Sequence, residues 1–95
     1  MYIRVIRGQT QPDKLDELAR RWKEIMVPQL KGLPGFRTAY FSGDHSANTL
    51  VSVSVWDSQP DEAALNQRMQ EFRSQVADLA SGQPSVDGYA VLEHV

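Results

Sequence analysis

Leu50 to Ser58, LVSVSVWDS, is the stretch whose reading decides the fold. Val51, Val53 and Val55 alternate with Leu50, Ser52, Ser54 and Trp56, and a side-chain period of two belongs to a β-strand with two different faces. The valine face needs an apolar neighbour. The other face sets two of the smallest polar side chains beside one of the largest aromatics, a profile that predicts space next to Trp56. Asp57-Ser58-Gln59-Pro60 then ends the strand and opens a helix.

Working outward, residues 36–42 (FRTAYFS) read as a second strand, with Phe36, Thr38 and Tyr40 on one face and Arg37, Ala39 and Phe41 on the other. The polar connection from Gly43 to Asn48 has hairpin length, so these two strands are expected to pair antiparallel. Residues 2–7 alternate Ile3 and Val5 against Tyr2, Arg4 and Ile6, which predicts a first strand ended by Gly8. Residues 86–95, with Tyr89, Val91 and Leu92, supply a last one.

Two nearly identical tetrads announce helices: Thr10-Gln11-Pro12-Asp13 and Ser58-Gln59-Pro60-Asp61. Each offers a hydroxyl cap, an early proline and an acid three residues on. After the first, Leu15, Leu18, Ala19, Trp22, Ile25 and Met26 recur at helical spacing, and Pro28 is expected to bend or end the helix near Val27. The breakers of residues 30–35 then make a loop. After the second tetrad, Leu65, Met69, Phe72, Val76 and Leu79 form one apolar stripe, stopped by Ser81-Gly82-Gln83-Pro84.

The order β-α-β-β-α-β over residues 1–95 describes one α+β domain of ferredoxin-like topology, a four-stranded antiparallel sheet with two helices on one face. Four strands about 4.8 Å apart leave a second face of roughly 300–400 Å². If the three valines line it, a monomer would expose an apolar patch of a kind that monomers rarely keep. A homodimer joined sheet to sheet is therefore expected. The competing arrangement puts the valines under the helices and the serines in water, and gives a monomer.

Composition removes several function classes. The net charge is −2, from 10 Lys and Arg against 12 Asp and Glu spread along the chain, so no basic stripe points to nucleic acid. The absence of cysteine excludes disulfides, thiolate nucleophiles and Cys-based metal sites. The two histidines, His45 and His94, have neither metal-ligand spacing nor a carboxylate pair beside them. No apolar run approaches the roughly 20 residues that cross a bilayer, and the chain enters a strand at once, so no membrane partner and a cytoplasmic location are expected.

With Pro34-Gly35-Phe36 after the first helix, VSVSVWDS on the third strand and β-α-β-β-α-β throughout, the chain resembles the antibiotic biosynthesis monooxygenase family over nearly its whole length. The resemblance implies a dimeric α+β barrel with a ligand cavity between each subunit's sheet and helices. It also implies oxidation of phenolic or quinol-like aromatics by O₂ with no cofactor, whether flavin, metal or haem. In the quinone-forming members an Asn, a Trp and an Arg act together. Trp56 matches the tryptophan, Ser52 stands where the asparagine would lie, and Arg68 and Arg73 lie near the arginine. Serine for asparagine weakens that mechanism. The haem-degrading branch expects an Asn on the first strand and a His on the second helix, and this chain has neither.

Cofactor-free oxygenation needs a dry pocket, a polar group for the substrate anion and a route for a proton. The expected catalytic residues are Trp56, Ser52 and Arg73, with Trp56 stacking on the substrate and Arg73 holding a phenolate. Ser54 and Tyr40 are expected to line the pocket from the sheet, and Trp22, Met26, Met69 and Phe72 to roof it from the helices. The blander reading of each is also physical: a core aromatic for Trp56, a solvated helix face for the arginines, and ordinary core for the apolar stripes. Two functional classes follow, a small monooxygenase acting on an aromatic or polyketide-like compound, and a non-catalytic ligand-binding or dimerising barrel of the same fold. An isomerase or cyclase using the cavity for proton transfer would differ by working without O₂. Fold alone does not choose among them.

Overall fold

A computed structural model describes all 95 residues. Strands β1 (Tyr2–Thr10), β2 (Phe36–Asp44), β3 (Thr49–Trp56) and β4 (Ala80–Ala90) form one sheet in the order β2-β3-β1-β4, with every neighbouring pair antiparallel. Helices α1 (Leu15–Arg21) and α2 (Val27–Lys31) are joined by a π-helical turn, Trp22–Met26, and α3 (Glu62–Gln75) follows β3. This is the ferredoxin-like α+β arrangement that the alternation in β3 and the two apolar stripes predict.

The register fixes which face is which. Tyr2 lies opposite Trp56, Arg4 opposite Ser54 and Ile6 opposite Ser52, so these six side chains share a face. Arg4 reaches Asn66 and Met69 of α3, which places that face under the helices. There Leu18, Met26, Leu30, Trp56, Leu65, Phe72, Val76 and Leu79 make the buried core. Val51, Val53 and Val55 line the opposite face with Ile3 and Val5, and no helix covers it.

The two helix starts differ despite their matching tetrads. At α3 the Asp61 carboxylate accepts the Ala64 N–H, an N-cap that satisfies one of the orphan donors of the first turn. At α1 the expected Thr10 cap does not form. Thr10 is still in β1, which runs on through Gly8, and its hydroxyl is turned to the Asn48 carbonyl. The chain instead turns through Asp13 in the left-handed region at φ 63° and enters the helix at Leu15 without a side-chain cap.

Pro28 does not end the helix near Val27. Its ring would clash with the carbonyl four residues back in a regular α-helix. The preceding turn is widened instead, with the Val27 N–H reaching the Trp22 carbonyl, and the helix runs on to Lys31.

The last strand also begins earlier than the breakers suggest. Ser81–Pro84 lies inside β4, where Gly82, Gln83 and Pro84 bulge out opposite the single residue Gly8. An edge strand tolerates a proline and a left-handed glycine in such a bulge, and Gly82 has φ 69°. Residues 91–95 lie beyond the strand. Gly43 has a different reason to be glycine: a Cβ there would sit 2.5 Å from the Thr49 carbonyl oxygen and 2.8 Å from Leu15 Cδ2. That close approach seats the β2–β3 hairpin on α1.

Candidate functional site

The helix-covered face of the sheet is filled at one end and hollow at the other. A cavity of about 90 Å³ lies between sheet and helices where Gly8, Leu50 and Ser52 form its floor. Ile6 and Phe41 flank that floor, while Leu18, Trp22, Met26, Met69, Phe72 and Val76 close it from above. The start of β4, Ala80, Ser81, Gly82 and Pro84, which includes the bulge, forms one rim. The space follows from the sequence. Gly8 and Ser52 put almost no side-chain volume on the floor, and the bulge carries β4 away from the roof. The π turn lies directly above, with its first and last residues, Trp22 and Met26, both on the wall, and Trp22 packs on Phe41 at a centroid distance of 5.5 Å.

Two polar side chains matter in this apolar wall. Ser52 is only 7% exposed and its hydroxyl has no hydrogen-bond partner within the chain. Since no fully enclosed side-chain oxygen or nitrogen lacks a partner, the Ser52 Oγ opens on the cavity. Arg73, from the last turn of α3, is the one ionisable side chain on the wall. It donates from Nη2 to Gln83 Oε1 at 2.7 Å and pairs with no carboxylate.

Six of the nine residues expected at the site, Ser52, Arg73, Trp22, Met26, Met69 and Phe72, therefore come together around one cavity. Three do not. Trp56 is fully buried at the other end of the same face, edge-on to Phe36 at 5.3 Å, and its indole N–H is taken by the Ser54 hydroxyl at 2.8 Å. Two residues apart on one strand face, the two satisfy each other and neither reaches the cavity. Tyr40 lies on the opposite face of the sheet and is 63% exposed. The reason is a bulge at Arg37: Phe36 pairs with Trp56 and Thr38 with Val55, so Phe36 turns to the helices while Thr38 and Tyr40 turn away.

Arg68, the other arginine near the family position, points to Gln29 Oε1 at 3.3 Å and does not line the cavity. His45 is exposed and bonded to Asp16 at 2.9 Å, which with Asp44 raises its pKa. No group of three His, Cys, Asp or Glu side chains is placed to hold a metal, and no helix is long and apolar enough to cross a membrane.

Sequence reasoning missed Arg4. Its guanidinium is 2% exposed and sits under α3, with Glu62 at 3.3 Å, Asn66 Oδ1 at 3.1 Å and Met69 Sδ at 3.7 Å. Burial pushes its pKa down, while the Glu62 carboxylate pulls it back up. Through Met69 this network fixes part of the cavity roof. The signal was available: a charge on the helix-covered face of β1, facing residues 62, 66 and 69 along one stripe of α3.

Comparison with known proteins agrees with this fold. Residues 1–69 match the family model for antibiotic biosynthesis monooxygenases. Among solved structures, a monooxygenase from the gene ActVA-Orf6 of Streptomyces coelicolor, captured with nanaomycin D, superposes with a TM-score of 0.76 at 17% identity, covering 99% of this chain and 89% of its own. A Nitrosomonas europaea protein provisionally assigned to the antibiotic biosynthesis monooxygenases gives 0.75 at 18% identity, covering 98% of this chain and all of its own. A Mycobacterium tuberculosis protein gives 0.67 at 21%, covering 99% and 98%. No curated protein matches the sequence. At these identities the superpositions speak for the fold. The family match spans most of the chain, and the protein belongs to the antibiotic biosynthesis monooxygenase family.

Proposed function

We propose that this protein is a cofactor-independent monooxygenase that oxidises a small phenolic, quinol-like or polyketide-like aromatic with O₂. The observation that carries this reading is the cavity itself: an apolar pocket with the buried, unpaired Ser52 hydroxyl on its floor and one cation, Arg73, on its wall. A phenol bound there has no protein carboxylate or imidazole to act as its base. Arg73 supplies positive potential that favours the phenolate. The Ser52 hydroxyl donates to a ring oxygen or to the oxygen species formed beside it. The phenol proton passes to water at the cavity mouth, and the electron-rich anion passes an electron to O₂. The radicals combine at carbon, and the peroxide anion takes the proton back and loses water with the C–H hydrogen to leave a carbonyl. One O₂ then converts a ring CH₂ to C=O and releases one H₂O. The apolar walls keep solvent from the intermediates.

In this proposal Trp56 is scaffold rather than catalyst, because its only polar group is already bonded to Ser54. The proposal includes a homodimer, with the valine faces of two sheets in contact. It is tested by oxygen uptake with anthrones, naphthols and reduced quinones. Uptake matching substrate consumed is expected from the wild type, with a loss of about tenfold or more in Arg73→Leu and a smaller loss in Ser52→Ala.

Ser52, standing where the quinone-forming members of the family carry an asparagine, favours a second reading, a binding barrel without chemistry. Folded protein that binds the same aromatics and consumes no oxygen would establish it. Product formed anaerobically would instead identify an isomerase or cyclase.

A further inference from the structure

We infer that the cavity and an adjoining surface groove are two compartments of one site joined at Arg73, and that its ligand is an aromatic ring carrying a carboxylate arm. The inference rests on the cavity being the binding site proposed above.

Size is the first reason. The inner cavity, about 90 Å³, lies well below the roughly 300–1,000 Å³ of typical small-molecule sites. A substituted aromatic must extend beyond it. A groove of about 420 Å³ adjoins it on the outer side, lined by Gln70, Arg73, Ser74, Ala77, Ala80 and Gly82. Arg73, Ala80 and Gly82 belong to both, so a single layer of side chains separates inside from outside. At that layer Gly82 holds a left-handed conformation, and a Cβ there would meet nothing within 4 Å. At this junction Arg73 reaches across to Gln83 of β4.

Charge is the second reason. Arg4, Arg7, Arg20, Arg21 and Arg37 each have a carboxylate partner, whereas Arg68 and Arg73 do not, and of these two only Arg73 lines the cavity and the groove. Arg73 has only the neutral amide oxygen of Gln83. A guanidinium carries five N–H donors, and a carboxylate is a stronger, bidentate acceptor than an amide, so a ligand carboxylate would displace Gln83 and draw Arg73 aside. No acidic side chain lines the groove to repel it. The Gln70 amide, which bonds to no other residue, adds a donor on the same wall. An arm reaching past Ala80 and Gly82 would leave its ring against Ser52 and its carboxylate on Arg73.

Isothermal titration calorimetry with a hydroxynaphthylacetic acid and its methyl ester tests this directly. The acid is expected to bind the wild-type protein at least tenfold more tightly than the ester. In Arg73→Gln that preference should shrink to about twofold or less, and in Ser74→Asp, which sets a negative charge in the groove, the acid should weaken several-fold while the ester does not. Equal affinity of acid and ester, or a preference that survives Arg73→Gln, overturns the inference. Oxygen uptake on the same samples keeps the two proposals apart. Arg73-dependent binding of the acid with no uptake removes the oxygenase and leaves the two-compartment site. Uptake on neutral naphthols with no preference for the acid does the reverse.

Discussion

The same strand, β3, serves two ends of the molecule that are built on opposite terms. At the Trp56 end the face under the helices is full: an indole against Phe36, a buried Arg4 held by Glu62 and Asn66, and a capped α3 starting a few residues on. At the Leu50 end it is hollow, with Gly8 and Ser52 on the floor, a π turn for a roof and a bulged edge strand. Packing fills the Trp56 end, and the space for binding is kept where the first helix and β4 are interrupted. Substitutions at matched positions of the two ends should therefore behave differently.

The largest contrast is between the two tryptophans. Trp56→Ala should cost about 3–5 kcal/mol in urea unfolding, because it opens a void in full core and strands the Ser54 hydroxyl. Trp22 is partly exposed and already borders empty space, so Trp22→Ala should cost about half as much or less while removing much of the affinity for an aromatic ligand. Equal destabilisation would show that the cavity end is as tightly constrained as the other.

Arg4 comes next. Arg4→Ala should cost about 2–4 kcal/mol, since it leaves a void, an unpaired Asn66 and a lone Glu62 carboxylate. Arg4→Met, which keeps the unbranched apolar stem, should recover a large part of that loss. If both variants lose the same amount, the ion pair rather than the packing holds this end together. Thermal or urea unfolding of the pair decides it.

The helix starts give a smaller and opposite-signed pair. Asp61→Ala removes the cap of α3 and should cost about 1 kcal/mol. Asp13→Gly, at a left-handed residue that caps nothing, should be neutral or stabilise by up to about 1 kcal/mol. Matching losses from the two would mean that the tetrads act alike despite their geometry.

These differences also show what could be read from the sequence. The alternation of β3 and the stripes Leu15–Met26 and Leu65–Leu79 carry the topology, because period alone tells a strand face from a helix face. Local register could not be read. Arg37 bulges because Phe36 must bury, and that single slip carries Tyr40 to the far side of the sheet. Pro28 acts on the turn before it, and the tolerance of Pro84 depends on β4 being an edge, which is a property of the whole sheet. The site divides in the same way. The roof residues follow from the apolar stripes and Ser52 and Arg73 from the family resemblance, whereas the withdrawal of Trp56 depends on a side-chain bond to Ser54 that no spacing rule announces.

The smallest effects should lie on the outer surface of α1, where the cavity end is tied by exposed charges in place of buried ones. His45 of the β2–β3 turn bonds to Asp16, and this contact, with Asp44 beside it, raises the imidazole pKa above 6.5. A pKa raised on folding stabilises the protein fully below the unfolded value and loses that contribution as the pH rises through the folded one. On the same helix Glu17 accepts hydrogen bonds from Arg20 and Arg21, which lower its pKa to about 2. Its contribution has the opposite sense, being present above 4.5 and lost as the pH falls from there toward about 2. Both sites are exposed, so each effect is a small displacement of the melting temperature that added salt reduces. Asp16→Asn should flatten the pH dependence only on the neutral side, and Glu17→Gln only on the acid side. Since the hairpin reaches α1 through Gly43 and Leu15 as well as through His45, the neutral-side shift also reports how firmly that end is closed. A larger shift in Asp16→Asn than in a variant lacking an internal ion pair, such as Arg4→Met, would reverse the comparison and make the hollow end depend on its surface for its shape.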